Sequence, residues 1–107
     1  MLLRNSERKT VQVEPGVRRS VLQSGEKLML VRIEIAAGKA VAAHQHPHEQ
    51  ITHLLAGRVE FTVGDTQMVL EPGDSCLLEP DVAHGATALE DSVLIDAFAP
   101  PREDFLA

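Results

Sequence analysis

Hydrophobic and polar residues alternate in short runs along most of this chain, and glycine, proline and aspartate separate the runs. In the run 27–35, apolar side chains occupy every second position, while Arg32 and Glu34 point the other way. Because side chains alternate between the two faces of an extended chain, this pattern predicts a half-buried strand. Four further runs predict strands in the same way: 59–63, 66–70, 75–79 and 92–98.

Turn-forming residues separate these runs. Gly64-Asp65 fits a hairpin turn, Pro72-Gly73-Asp74 fits a second turn, and Pro100-Pro101 ends the last strand. No stretch keeps a helical period over three turns, so many short strands predict an all-β sandwich or closed barrel. We expect a single domain over residues 1–107, in which the polar residues 1–15 pack loosely.

Composition and charge exclude several classes of function. The net charge of −6 and the presence of only three aromatic residues, all Phe, argue against a nucleic-acid partner. No apolar run approaches the roughly 18 residues that span a bilayer. Residues 1–9 do not read as a signal peptide, so a cytoplasmic location is expected. Cys76 lies in an apolar stretch and is expected to be a buried, inert thiol.

A histidine cluster is the most informative feature of the sequence. His44 and His46 lie two apart and can present both imidazoles to one point; Gln50 keeps their parity, whereas Glu49 faces away. A further ligand has to come from elsewhere, and His84 lies in a loop-like stretch. A single histidine in a polar loop is usually a surface residue. Three within five positions indicate a metal site instead.

Two other histidines are less clearly assigned. His48 shares the parity of the expected ligands, so a direct role remains open. His53 has the opposite parity to Gln50 and is expected to face outward or into a subunit contact.

The spacing of the cluster resembles the first motif of the cupin superfamily: Gly, five residues, His-x-His, three or four residues, Glu, six residues, Gly. Here these positions are Gly38, His44, His46, Gln50 and Gly57. The resemblance implies a small jelly-roll β-barrel and often a homodimer.

The second cupin motif is present as well. It begins at Gly73, has Glu79 in place of the usual proline, and ends at His84. Together the two motifs imply one divalent transition metal ion (Ni, Zn, Fe, Co or Mn), held by the ligands His44, His46, Gln50 and His84.

Gln50 departs from the glutamate that most cupins carry. Three imidazoles and an amide oxygen are all neutral, so a divalent ion keeps its charge near +2 and favours an anionic substrate. The missing carboxylate argues against a metal-dependent dioxygenase of the facial-triad kind.

The C-terminal run holds a second candidate group. Leu94, Asp96 and Phe98 share one face of the predicted strand, and both faces are largely apolar. Asp96 is therefore expected in a poorly solvated place. It serves there either as a structural partner for an arginine or backbone amide, or as a general acid and base with a raised pKa.

The segment Asp-x-Phe-x-Pro-Pro-Arg-Glu-Asp-Phe at 96–105, together with the histidine cluster, resembles the KdgF-like cupins. That resemblance implies conversion of a 4,5-unsaturated uronate, a breakdown product of pectin or alginate, to the linear 4-deoxy-5-keto-uronate. It places Asp96, Phe98 and Arg102 around this small acidic sugar-derived substrate.

The roles of the arginines stay open. Arg102 could clamp the substrate carboxylate, or it could form an ordinary ion pair with Glu103 or Asp104. Arg18 or Arg19 could also reach the mouth of the barrel. The leading hypothesis is a ring-opening isomerase, and the alternative is a non-catalytic metal-containing cupin that binds a small acidic or sugar ligand.

Overall fold

The computed structural model describes residues 1–106, which form two antiparallel β-sheets. Ten strands lie within this part of the chain, numbered β1 to β10 in order: Thr10–Glu14, Val17–Ser24, Met29–Ile35, Ala40–His44, Glu49–Ala56, Val59–Val63, Thr66–Leu70, Ser75–Leu78, His84–Ala88 and Ser92–Ala99. Two short 3-10 turns, Asn5–Glu7 and Glu103–Phe105, flank them. Among these residues no helix has the length and apolar character needed to cross a membrane.

The chain passes repeatedly between the two sheets. One sheet has the order β1-β2-β3-β10-β5-β8, and the other has the order β4-β9-β6-β7. From β3 onward the chain changes sheet at nearly every connection, with the β6–β7 hairpin as the exception. This arrangement confirms the all-β class and the jelly-roll fold predicted from the sequence.

The core lies between the inner faces of the two sheets. Leu54, Leu78 and Leu94 from the six-stranded sheet pack with Val59 and Phe61 from the four-stranded sheet. Each is at most 4% exposed, so together they exclude water from one end of the barrel. A smaller cluster around Met29, Val31 and Phe98 lies towards the other end. The strict alternation along β10 explains why its inner face serves both clusters.

Where alternation was clear, the predicted strands match the structure. β6 and β7 have the predicted bounds, whereas β3 begins at Met29 and β8 ends at Leu78. β1, β2, β4, β5 and β9 were not identified as separate strands. β1 shows the reason, since every side chain in it is exposed and only backbone pairing with β2 defines it.

The N-terminal segment is attached to the barrel by polar contacts. Ser20 on β2 is buried, and its Oγ lies 2.9 Å from Thr10 Oγ1. Arg8 donates a 3.0 Å hydrogen bond to the same oxygen. These bonds hold β1 against the edge of the six-stranded sheet, beside the open end of the barrel.

Gly57 shows why the first motif ends in glycine. This residue joins β5 to β6 with a φ of +91°, a conformation that favours glycine. A Cβ atom placed there would clash with the carbonyl oxygen of Asp91. The crossing between the sheets therefore requires both the backbone freedom and the small size of glycine.

Candidate metal centre and active site

Three histidines converge on one point of the barrel, where His46 and His84 are buried and His44 is exposed. His44 is the last residue of β4, and it pairs in register with His84, the first residue of β9. His46 follows in the bend between β4 and β5. The nearest ring nitrogens of the three all lie within 4.8 Å of one another. The sequence analysis placed His84 in a loop; the structure places it at the start of a strand.

Each imidazole is oriented by the backbone. All three rings place Nδ1 near a carbonyl oxygen two residues away: His44 near Ala42 at 3.0 Å, His84 near Val82 at 3.0 Å, and His46 near His48 at 3.2 Å. Because a carbonyl only accepts, Nδ1 carries the proton and the lone pair sits on Nε2. The local backbone therefore presets three Nε2 atoms as ligands.

The environment of His84 Nε2 shows that a metal ion fits this site. This atom is buried and has no hydrogen-bond partner within residues 1–106. An unpartnered acceptor at such a position is costly unless something binds it. Three neutral imidazole nitrogens match the preference of divalent transition metals, so the donor set fits such an ion.

Burial keeps two of these rings neutral. It lowers the pKa of His46 and of His84, and the positive charge of nearby Arg102 adds to the effect. The amide oxygen of Gln50 and the backbone carbonyl of Val82 favour the protonated form of these rings and oppose the effect in part. Metal ligation requires the deprotonated imidazole, so the lowered pKa values favour binding.

Gln50 approaches the histidines from the opposite sheet. It lies on β5 and is 5% exposed, and its Oε1 is 2.9 Å from Nε2 of His46. Its amide nitrogen donates a 2.8 Å bond to Thr52, which fixes the orientation of the amide. In this arrangement an amide oxygen and a lone-pair nitrogen face each other. A cation held between them would remove that repulsion.

The shared parity of His44 and Gln50 predicts one extended stretch between them. The chain instead bends near Pro47 and changes sheet, so these two side chains meet across the barrel rather than along one strand. The ring centroid of His48 lies 5.3 Å from that of His46. His48 is not one of the three histidines whose ring nitrogens converge.

Asp96 ends a buried chain of polar groups. Thr52 accepts from Gln50 and donates a 2.8 Å hydrogen bond to Oδ1 of Asp96. Asp96 is 8% exposed, and burial raises the pKa of its carboxyl group to about 6. Hydrogen bonds from Thr52 and Gln50 and the charge of Arg102 limit that rise. Thr52 was not singled out in the sequence, although it shares the parity of Gln50.

His44, His84 and Asp96 line one cavity of about 330 Å³, which is within the size range of small-molecule sites. Six of its lining residues carry polar or aromatic groups that were predicted as site residues: His44, Gln50, His84, Asp96, Phe98 and Arg102. His46 lies directly behind this surface, in contact with Gln50 and Phe98.

Phe98 and Arg102 form the wall near the C-terminal segment. The Phe98 ring is 5.8 Å from the His46 ring and 5.7 Å from the Phe105 ring, between centroids. Arg102 donates from Nε and Nη2 to Asp104 at 3.0 and 2.8 Å, which lowers the pKa of Asp104. The Arg102 side chain is only 14% exposed and lines the cavity, whereas its partner Asp104 is largely exposed.

The structure separates Arg18 from Arg19. Arg18 lies on the outer face of the sheet, 3.7 Å from Glu34. Arg19 lines the cavity, and its guanidinium carbon is 4.0 Å from the centre of the Phe105 ring. Phe105 was part of the tail motif, but no role was assigned to it from the sequence.

The remaining predicted positions lie away from the cavity. His53 is on the outer face of β5, where Nδ1 is 2.7 Å from Oγ of Ser75. Glu49 is exposed at the start of the same strand. Cys76 is half-buried, and burial raises the pKa of its thiol.

Comparison with known proteins gives a consistent picture. The Cupin domain model (Cupin_2) matches residues 31–97. The "Pectin degradation protein KdgF" of Dickeya dadantii (strain 3937) is 36% identical over 93 residues, which cover 85% of this chain and 84% of that protein.

Two solved structures superimpose closely. KdgF from Halomonas sp. gives a TM-score of 0.93 at 34% identity, over 98% of this chain and 97% of that one. An RmlC-like cupin from Shewanella frigidimarina NCIMB 400 gives a TM-score of 0.93 at 32% identity, over 97% of this chain and 94% of that one.

Proposed function

The chain belongs to the cupin domain family, and we propose that it is a metal-dependent enzyme that converts a 4,5-unsaturated uronate to the linear 4-deoxy-5-keto-uronate. The name of its relatives, a pectin degradation protein, supports a substrate from pectin breakdown. The observation that carries the proposal is a buried carboxyl group, Asp96, which faces the same cavity as the histidine cluster.

The metal site in this proposal uses the histidine cluster and the amide beside it. His44, His46 and His84, with Gln50, would hold one divalent transition metal ion. When bound, that ion supplies Lewis-acid polarisation of substrate oxygens. The neutral ligand set leaves its positive charge uncompensated, which favours a carboxylate-bearing sugar.

Asp96 carries the proton in this proposal. Ring opening removes the proton of the anomeric hydroxyl and breaks the bond between C1 and the ring oxygen. This leaves an enolate on the former ring oxygen and C5, which becomes a ketone when C4 gains a proton. One proton leaves oxygen and one arrives at carbon, so a single carboxyl group serves as base and then as acid, without any oxidant or reductant.

Phe98 and Arg102 bind the substrate in this scheme. The Phe98 ring provides an apolar surface beside the histidines, against which a sugar face can pack. Arg102 contributes positive charge to the cavity wall. Its Nε and Nη2 are held by Asp104, so Nη1 is the atom left to meet an acceptor.

The test is to incubate the protein with unsaturated galacturonate and follow the loss of the double bond by its ultraviolet absorbance. We expect turnover well above the spontaneous rate, and Asp96→Asn should reduce kcat by about 10²- to 10⁴-fold. Asp65→Asn, at the exposed β6–β7 turn, is the matched control and should retain full activity.

A wild-type rate equal to the spontaneous background would contradict the proposal. It would favour the alternative, a non-catalytic metal-containing cupin that binds a small acidic or sugar ligand. Oxygen consumption with an organic substrate would instead point to a dioxygenase.

We also propose that the protein is a homodimer in the cytoplasm. The outer face of the six-stranded sheet carries exposed apolar side chains on neighbouring strands, including Leu30, Ile51 and Leu77. The free thiol of Cys76 is compatible with a reducing compartment. Light scattering after size-exclusion chromatography tests the first point, and cell fractionation tests the second. A monomer at micromolar concentration, or recovery from the periplasm, would contradict them.

A further inference from the structure

The cavity has two arginines, and they differ in their partners. Arg102 uses Nε and Nη2 to hold Asp104. Arg19 reaches the same cavity from β2, and among residues 1–106 no side-chain hydrogen bond or ion pair involves its guanidinium. Of the two, only Arg19 retains both edges of the planar fork that binds a carboxylate through two parallel hydrogen bonds.

The position of Arg19 is fixed by packing. On β2 it pairs with Ile33 of β3 and with Val11 of β1, so its side chain points to the inner face of the sheet. The ring of Phe105 packs against the guanidinium, with 4.0 Å from the guanidinium carbon to the ring centre. An arginine restrained in this way loses less conformational freedom on binding an anion.

The surroundings of Arg19 favour an anion. The guanidinium of Arg102 lies 4.3 Å from the same Phe105 ring, which places two positive charges at one end of the cavity. Asp104 is bonded to Arg102. The other carboxylates that line a cavity with Arg19 are Glu7, Glu14 and Asp96, and within residues 1–106 none of them forms an ion pair with it. Burial and repulsion from Arg102 lower the pKa of Arg19, against the attraction of Asp104.

We propose that Arg19 is a specificity-determining residue, which binds the carboxylate of a uronate through its free guanidinium edge and makes the cavity select acidic over neutral sugars. This inference rests on the proposed function for its substrate class. Arg102, which Asp104 holds against Phe98 and Phe105, then adds positive charge and the single free atom Nη1 rather than a two-pronged fork.

The experiment measures binding rather than turnover. Isothermal titration calorimetry compares galacturonate with its methyl ester, which keeps the sugar and removes the charge. Wild-type protein should bind the acid at least ~10-fold more tightly than the ester, because a hydrogen bond between two charged groups is stronger than one to a neutral ester. Arg19→Gln should weaken binding of the acid by about 10- to 100-fold and leave binding of the ester unchanged.

Arg18→Gln is the matched control, because it removes the same charge from the neighbouring position on the outer face of the sheet. It should bind both ligands as the wild type does. Arg19→Lys keeps the charge but loses the fork, so its affinity for the acid should fall between those of the wild type and Arg19→Gln. Repeating the titrations after chelation removes any binding of the carboxylate to a metal ion, and the loss caused by Arg19→Gln should persist.

The inference is wrong if Arg19→Gln binds galacturonate as tightly as the wild type, or if the wild type binds acid and ester equally or binds neither. Its failure is distinct from failure of the proposed reaction. If the protein binds the acid through Arg19 but does not consume unsaturated galacturonate, the carboxylate site is supported and the proposed isomerase activity is wrong.

Discussion

The two ends of the cavity are built on different principles. At the histidine end, each ring is oriented by a carbonyl two residues away in the chain, and His44 and His84 face each other across one pair of strands. At the arginine end, Arg19 from the N-terminal part of the chain meets Phe105 from the C-terminal turn. The histidine end is neutral and local, whereas the arginine end is charged and assembled from distant segments.

This difference assigns separate tasks to the two ends. Neutral, backbone-oriented imidazoles suit a metal ion, which requires fixed lone pairs. Guanidinium groups held by aromatic packing suit a substrate carboxylate. Asp96 lies between them, linked to the histidine end through Thr52 and Gln50. Changes at one end should therefore leave the property of the other intact.

The largest effect is expected from removing a ligand at the histidine end. His84→Ala deletes the buried Nε2 that lacks a partner, so the metal content should fall from about one divalent ion per chain to nearly none. Elemental analysis of protein purified with added divalent ions measures this content. His53→Ala on the outer face serves as the control and should keep its metal. Equal metal content in both variants would show that the histidine cluster does not bind the metal.

The next effect concerns Asp96 and stability. The folded pKa of about 6 is above the ordinary 3.8, so the folded state binds the proton more tightly than the unfolded chain. The free energy of unfolding should therefore fall as pH rises from about 4 to about 6 and stay lower above that range. Asp96→Asn should remove this dependence and raise the free energy of unfolding at pH 8 by up to about 3 kcal/mol relative to the wild type.

Urea unfolding of chelated protein at pH 4.5 and pH 8 measures that gain. The Asn variant should be more stable than the wild type at pH 8, and the two should differ less at pH 4.5. A wild-type protein that is the more stable of the two at pH 8 would show that the ionised carboxylate is well accommodated. Asp65→Asn retains Asp96, so its stability should fall between pH 4.5 and pH 8 as that of the wild type does.

The smallest effect is expected from loosening the arginine end. Phe105→Leu removes the ring against which both guanidinium groups pack, and cation–π contacts of this kind contribute about 0.5–2 kcal/mol. We expect KM for the uronate to rise by about 3- to 30-fold with metal content unchanged. Leu106→Ala, which alters a neighbouring exposed side chain, is the control. A loss of metal in Phe105→Leu would contradict the independence of the two ends.

The sequence alone determined the fold class and the histidine end. Alternation of apolar residues specified β3, β6, β7, β8 and β10, because burial of one sheet face leaves a period of two. The histidines and Gln50 could be picked out as candidate ligands because they are close in the chain or lie in a second short motif. Asp96 was readable because it interrupts an otherwise apolar strand.

Only the tertiary structure decided the rest. It brought Gln50 to the histidines from the other sheet, placed Thr52 between Gln50 and Asp96, and selected Arg19 rather than Arg18 for the cavity. The sequence shows two adjacent arginines, and only the register of β2 between β1 and β3 settles which one faces inward. Contacts between residues distant in sequence are fixed by strand pairing and packing, which leave no local pattern to read.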